Sequence, residues 1–330
     1  MKRSFFALCS VLFVLCSAFS IPAFPMGLAP PATSEVGTPV LIFVRSYGFA
    51  GSGDAQFYFP QDVYASVIGD ISTGLNNLFV ADTGNNRIER LDEDGSFSYQ
   101  FGRFGGDPGQ FNTPAGLTVD FNLYVYVADQ ENHRIQKLDI RGNPLKQWGS
   151  YGKETGQFIY PRGLALDSTG RLYVADSGND RIQKFDGDGN FIGTVGGFGF
   201  GDGFFDNPQD VALDKERNLY VADTGNHRIQ KIDEFGRPIV SFGSMGKETS
   251  QLFKPQGVAV DDKYVYVADT GNNRIQIFDR RGRFLSAYGQ KGFREGELNG
   301  PVGLALGRSG QIFVADTQNH RIQQFKVVYK

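Results

Sequence analysis

From Leu78 onward, short apolar runs and polar turns alternate along the chain at a fixed rhythm. The phrase L-F-V-A-D-T-G-N-N-R-I fills residues 78–88 and V-Y-V-A-D-Q-E-N-H-R-I fills residues 125–135. Close copies return at 172–182, 219–229, 265–275 and 312–322. The phrase's aspartates are Asp82, Asp129, Asp176, Asp223, Asp269 and Asp316, spaced 47, 47, 47, 46 and 47 residues apart. Within the third period the pattern predicts four short strands. Pro161 opens the first, residues 172–176 form the second, residues 181–186 alternate apolar and polar as a half-buried third, and residues 191–195 form the fourth. Ser177-Gly178-Asn179 and Asp188-Gly189-Asn190 supply the turns, since Gly and Asx residues tolerate the positive φ of tight hairpins.

A period of this length with strand content predicts an all-β fold, a six-bladed β-propeller of four-stranded antiparallel blades. The last period supplies only three strands before the chain stops at Lys330. The missing strand stands at the other end, where residues 41–48 (L-I-F-V-R-S-Y-G) match residues 284–289 (F-L-S-A-Y-G). The N-terminal strand is therefore expected to complete the last blade and close the ring, leaving no open edge.

These residues resemble the NHL-repeat family, whose pattern is G-x-F-x-x-P-x-G-x-A-x-D followed by V-A-D-x-x-N-x-R-I-Q. The resemblance covers residues 39–330. It implies a six-bladed propeller whose relatives mostly bind proteins, RNA or small ligands on a loop face. One enzymatic branch, the peptidyl-hydroxyglycine amidating lyases, looks similar too, but a shared fold carries no activity with it.

The first residues read as an address. Lys2 and Arg3 precede an apolar run over residues 5–19, and Ala18-Phe19-Ser20 is a small-x-small exit. Residues 1–20 are thus expected to be a secretory signal peptide, with an uncleaved anchor as the alternative because the apolar stretch extends toward Phe24. Residues 21–38 are a Pro-rich linker and 39–330 the propeller. The expected location is secreted or extracytoplasmic, with a membrane involved only if the N-terminus stays attached. Cys9 and Cys16 both lie in the address, so the mature chain has no disulfide and no thiolate chemistry. The 330 residues carry a formal charge of −3, and removing Lys2 and Arg3 makes this about −5. Nucleic acid is an unfavoured partner for such a chain, because the electrostatic attraction to phosphate is missing.

Candidate chemistry follows from what repeats and what does not. The motif Asp and Arg residues, such as Asp176 and Arg181, occur in all six blades. They read as turn and strand organisers, because a catalytic site needs one copy. His133, His227 and His320 share one slot before Arg-Ile in alternate blades, equivalent to Asn86, Asp180 and Asn273. Turns of alternate blades stand too far apart to share a zinc ion. The amidating-lyase resemblance implies zinc-site histidines after the strand-opening prolines. That slot holds Gln61, Ala115, Arg162, Gln209, Gln256 and Val302, which does not match.

One residue further on, four blades carry Gly116, Gly163, Gly257 and Gly303, whereas the opposite blades one and four carry Asp62 and Asp210. Both carboxylates are expected to face the central channel. They either hold calcium, for which the amidating-lyase resemblance implies an Asp ligand in a similar Pro-x-Asp context, or bond a neighbouring strand or water, and no other cofactor is expected. Aligned connectors after each fourth strand place Phe104, Tyr151, Phe198 and Met245 at one loop position, with Lys291 in a fifth blade. These apolar residues form a candidate ligand-binding ring around the channel mouth on one face, with Arg103, Arg162, Lys153, Lys247 and Lys291 as polar contacts. The alternative is that they fold inward and pack between blades. Seven extra residues between Pro60 and Asp82, around residues 67–75, are expected to extend a loop on the opposite face. No G-x-S-x-G, H-E-x-x-H or phosphate loop is present. The leading expectation is a non-enzymatic extracytoplasmic scaffold that binds a protein, a peptide or a surface polymer. The alternative is a calcium-assisted lyase or hydrolase at the channel mouth.

Overall fold

Six four-stranded antiparallel sheets stand around a central channel in the computed structural model, which describes residues 37–66 and 77–330. Blade 3 shows how the sequence builds each one. Its innermost strand Pro161–Leu166 begins at a proline, which a strand tolerates at its first residue. Leu172–Asp176 follows and is buried along its whole length, so its apolar residues run without interruption. Arg181–Phe185 does not alternate as expected, because Gln183 is buried beside Ile182 to reach Asp176, and Phe191–Gly196 forms the largely exposed outer edge. The turn between the second and third strands is a single 3₁₀ turn, Ser177–Asn179, ended by Asp180 in the left-handed region at φ 56°. Asn, Asp and His enter that region more readily than other side chains, which explains why only these three types fill the slot.

The closing strand is where the sequence places it. Pro39–Tyr47 pairs antiparallel with Arg321–Tyr329, with Val40 opposite Val328 and Tyr47 opposite Ile322. The last sheet therefore runs from the N-terminal strand through the last three strands of the chain. The Thr38 N–H donates to the Lys330 carbonyl at 2.8 Å, and the Tyr47 hydroxyl donates to Gln324 Oε1 at 2.6 Å. Apolar packing lies between blades rather than within them. Phe79, Ala81 and Ile88 of blade 1 meet Leu117, Val125 and Val127 of blade 2, and the interface repeats around the ring.

No helix among the described residues is long and apolar enough to cross a membrane. The expected address over residues 1–20, most of the linker and the insertion at residues 67–75 fall outside the described residues.

Candidate binding face and channel

The repeated motif builds one buried polar cluster per blade. In blade 3 Asp176 Oδ1 accepts from the Ile159 N–H at 2.8 Å, and Oδ2 accepts from Arg181 Nε at 2.7 Å, Asn179 Nδ2 at 2.9 Å and Gln183 Nε2 at 3.0 Å. Arg181 Nη2 donates onward to the carbonyls of Glu154 and Gln157, tying down the connector that enters the blade. Burial alone pushes the Asp176 carboxyl up, and these donors oppose that push. Asp129, Asp223, Asp269 and Asp316 have the same Arg and Asn partners, so the cluster organises the fold in each blade.

Blade 1 departs from this pattern. Glu89 stands where the other blades carry Gln136, Gln183, Gln230, Gln276 and Gln323. Its carboxylate pairs with Arg87 and accepts from the Ala55 N–H at 3.2 Å. Burial, opposed by Arg87 and reinforced by Asp82, raises the Glu89 carboxyl to about 7.

The shared histidine slot joins one blade to the next. His133 Nδ1 accepts from the Tyr160 N–H at 3.2 Å, His227 Nδ1 from Lys254 at 2.9 Å and His320 Nδ1 from Phe59 at 3.0 Å. Asn86, Asp180 and Asn273 accept through Oδ1 from Thr113, Asn207 and Gly300 in the same way. The residue opening the 3₁₀ turn adds a second latch in five blades. Thr83, Ser177, Thr224, Thr270 and Thr317 each donate a hydroxyl to the carbonyl of the proline at or two residues before the start of the following blade's inner strand, at 2.6–2.7 Å.

The inter-blade connectors all lie on the face that carries these turns. Gly102 turns the chain at φ +93°, where a Cβ would strike the Phe111 ring. Phe104 then bridges Phe111, seven residues later, and the pairs Tyr151–Phe158, Phe198–Phe205, Met245–Leu252 and Lys291–Leu298 repeat that spacing. The later member of each pair is fully buried and supplies the packing between blades. The earlier member points out, with Phe104, Tyr151, Phe198 and Met245 between 64% and 68% exposed. Arg103, Lys153, Lys247 and Lys291 are exposed beside them. Arg162 is not. It lies at the channel mouth, where its Nη1 donates across the ring to Gln61 Oε1 at 3.0 Å and burial lowers its pKa. The apolar ring is carried just beyond the outermost strands, and the mouth is lined instead by Gln61, Arg162, Gln209, Gln256 and the slot one residue further on.

Asp62 and Asp210 both reach the channel. Asp62 Oδ1 accepts from the Val63 N–H and Oδ2 from Leu117 of the next blade, each at 2.9 Å. Asp210 accepts from Val211 at 2.8 Å and from Val258 of the next blade at 2.9 Å. Glycine in the preceding blade makes room, since a Cβ at Gly303 or Gly163 would collide with these carboxylates. Burial first, then repulsion from Asp210, raises the Asp62 carboxyl well above the usual range, and burial raises Asp210 to about 7. Among the described residues, no group of three or more His, Cys, Asp or Glu side chains is placed to hold a metal ion.

The sequence reading missed two features. The Arg162–Gln61 bond joins residues 101 positions apart and exists only because the ring closes. Glu89 was legible as the one R-I-E among copies of R-I-Q.

The NHL repeat family model matches residues 111–138, 158–185, 205–232, 254–278 and 298–325. A comparison with curated proteins finds no match in sequence. Among solved structures, the chain is similar to a structural-genomics protein of unknown function from Bacteroides thetaiotaomicron, with TM-score 0.64 and 18% identity over 88% of this chain and 76% of that one. It is also similar to a catalytically inactive virginiamycin B lyase from Staphylococcus aureus with quinupristin, at TM-score 0.57 and 14% identity over 88% of this chain and all (100%) of that one. A nidogen/laminin complex matches at TM-score 0.53 and 18% identity, covering 79% of this chain and 84% of that one. At these identities the likeness is one of fold.

Proposed function

This chain belongs to the NHL-repeat β-propellers, and from that premise we propose that it is an extracytoplasmic, non-enzymatic platform that binds a protein or peptide on its connector face. One observation carries the reading. Four consecutive blades hold Phe104, Tyr151, Phe198 and Met245 out to solvent from equivalent, backbone-bridged positions. Large apolar side chains held outward by a rigid frame, beside arginine and lysine, suit an interface centre with a polar rim. The repeated Asp, Asn, Arg and Gln residues are occupied by the fold, which leaves them no catalytic role. The nidogen/laminin propeller is a fold relative found in a protein complex, which supports the reading by analogy.

A displayed random-peptide library panned on the full chain tests the proposal. Peptides selected on the wild type should bind the Phe104→Ser/Tyr151→Ser/Phe198→Ser/Met245→Ser variant at least about tenfold more weakly, as loss of central anchors does. They should bind Phe235→Ser, altered on the opposite face, as before. Equal binding to all three proteins defeats the proposal. Turnover of a peptide or ester that disappears in Asp62→Ala or Asp210→Ala would replace it with the channel-mouth enzyme.

A further inference from the structure

The channel is a blind tube. Its middle is a cavity of about 220 Å³ faced by Tyr64, Thr118, Ala165, Ala212, Ala259 and Ala305 from the six innermost strands. Among the described residues, Tyr64, Thr118, Leu166 and Leu213 also line a pocket of about 490 Å³ that opens on the face opposite the connectors. Toward the connector face the tube stops. The mouth there has room for only about 20 Å³, and the Arg162–Gln61 bond spans it. Asp62 and Asp210 border both the closed mouth and the cavity, so they sit at the blind end.

The chemistry of this end is specific. Each carboxylate receives two backbone N–H bonds, half of the roughly four acceptor sites that a carboxylate has. The remaining acceptor capacity belongs to two acids from opposite blades. Among the described residues, the charged or titratable groups lining the mouth and cavity are Asp62, Asp210, Arg162 and Tyr64. Burial raises both carboxyls, and Arg162, which lines the mouth with them, donates to Gln61.

Calcium, which the lyase resemblance suggests, does not fit. It takes about six to eight oxygen ligands. Here the wall on one side is alanine and leucine, and the other side holds a guanidinium that takes Gln61 Oε1. Gln209 and Gln256 are the other side-chain carbonyls beside two acids that each already accept two N–H bonds. An organic cation answers both the charge and the wall.

We infer that the channel binds a small primary alkylammonium ion, which enters from the face opposite the connectors, lays its chain along the alanine-lined bore and sets its ammonium between Asp62 and Asp210. An ammonium group brings three donors, which suits two carboxylates with spare acceptor sites. The inference is independent of the connector ring, and the four-serine ring variant should leave it unchanged.

Isothermal titration of the full chain with n-hexylammonium tests it, with n-hexanol and calcium chloride as the other titrants. Saturable binding of n-hexylammonium is expected at about pH 8, weakening at least about tenfold toward pH 5 as the carboxylates take up protons. Asp62→Asn/Asp210→Asn should lose it, and n-hexanol and calcium should give no saturable heat. The pH series on the wild type keeps the test decisive if that variant does not fold. The inference fails if n-hexylammonium does not bind, if n-hexanol binds equally well, if the affinity ignores pH, or if calcium binds in its place.

Discussion

The buried clusters under the six turns and the exposed ring above the connectors are built from equally regular positions, yet they differ in what their side chains do. In the clusters every Asp and Arg is spoken for, as Asp223 illustrates with bonds from Asp206, Asn226, Arg228 and Gln230. In the ring the backbone is equally fixed, but Tyr151 and Phe198, with the rings of His133 and Phe200 beside them, face water over most of their surface. Repetition with occupied partners marks structure. Repetition with side chains held outward marks a surface available to something else.

The sharpest way to break this contrast is to cut a cluster. Asp223→Ala leaves Arg228 and Gln230 without their shared acceptor inside the blade. Removing one partner of such a buried pair costs about 3–5 kcal/mol, so urea unfolding should show one of the largest losses of any single substitution in the chain.

Glu89 sharpens the contrast from within the clusters. Its carboxyl titrates at about 7 in the folded protein, against about 4.3 for an unperturbed glutamate. A raised folded value means that the protonated form favours folding. That stability is fully present below the unfolded value and is lost as pH rises through about 7. Glu89→Gln carries no proton and restores the residue of the other five blades. It should match the wild type near pH 4 and exceed it by about 1–3 kcal/mol at pH 8, read from denaturation midpoints across pH.

His227 runs the other way and is smaller. Burial, followed by the charge of the nearby Lys254, lowers its pKa, and a proton on Nδ1 would also lose the bond accepted from the Lys254 N–H. A lowered folded value gives stability that is present above the unfolded value of about 6.5 and lost as pH falls through the folded one. His227→Asn keeps an acceptor, as Asn273 does in the next blade. It should flatten the acid limb of the stability profile by about 0.5–1 kcal/mol, seen as thermal midpoints that no longer fall below about pH 6.

The fold was legible because its signals are local and repeat. The proline at or two residues before each inner strand, the continuous apolar run before the motif Asp in the second and the left-handed Asx or His slot each specify a short piece, and six copies at one period specify the ring. Even closure was readable, from the likeness of residues 41–48 to residues 284–289. The sites were less so. The connector position of Phe104, Tyr151, Phe198 and Met245 could be read, but not how far from the mouth it lies. Arg162 shows why. Its neighbours in sequence suggest a contact on the loop face, but its partner Gln61 stands across the channel in another blade. Contacts made across a closed ring leave no trace in the order of residues.

Equilibrium urea unfolding of the Phe104→Ser/Tyr151→Ser/Phe198→Ser/Met245→Ser protein, measured beside the wild type, tests the central claim most directly. If the ring is a free surface, the four changes together should shift stability by no more than about 1 kcal/mol, as exposed substitutions do. A loss of about 4 kcal/mol or more would mean that these side chains pack between blades, and the ring would then be part of the fold rather than a surface for a partner.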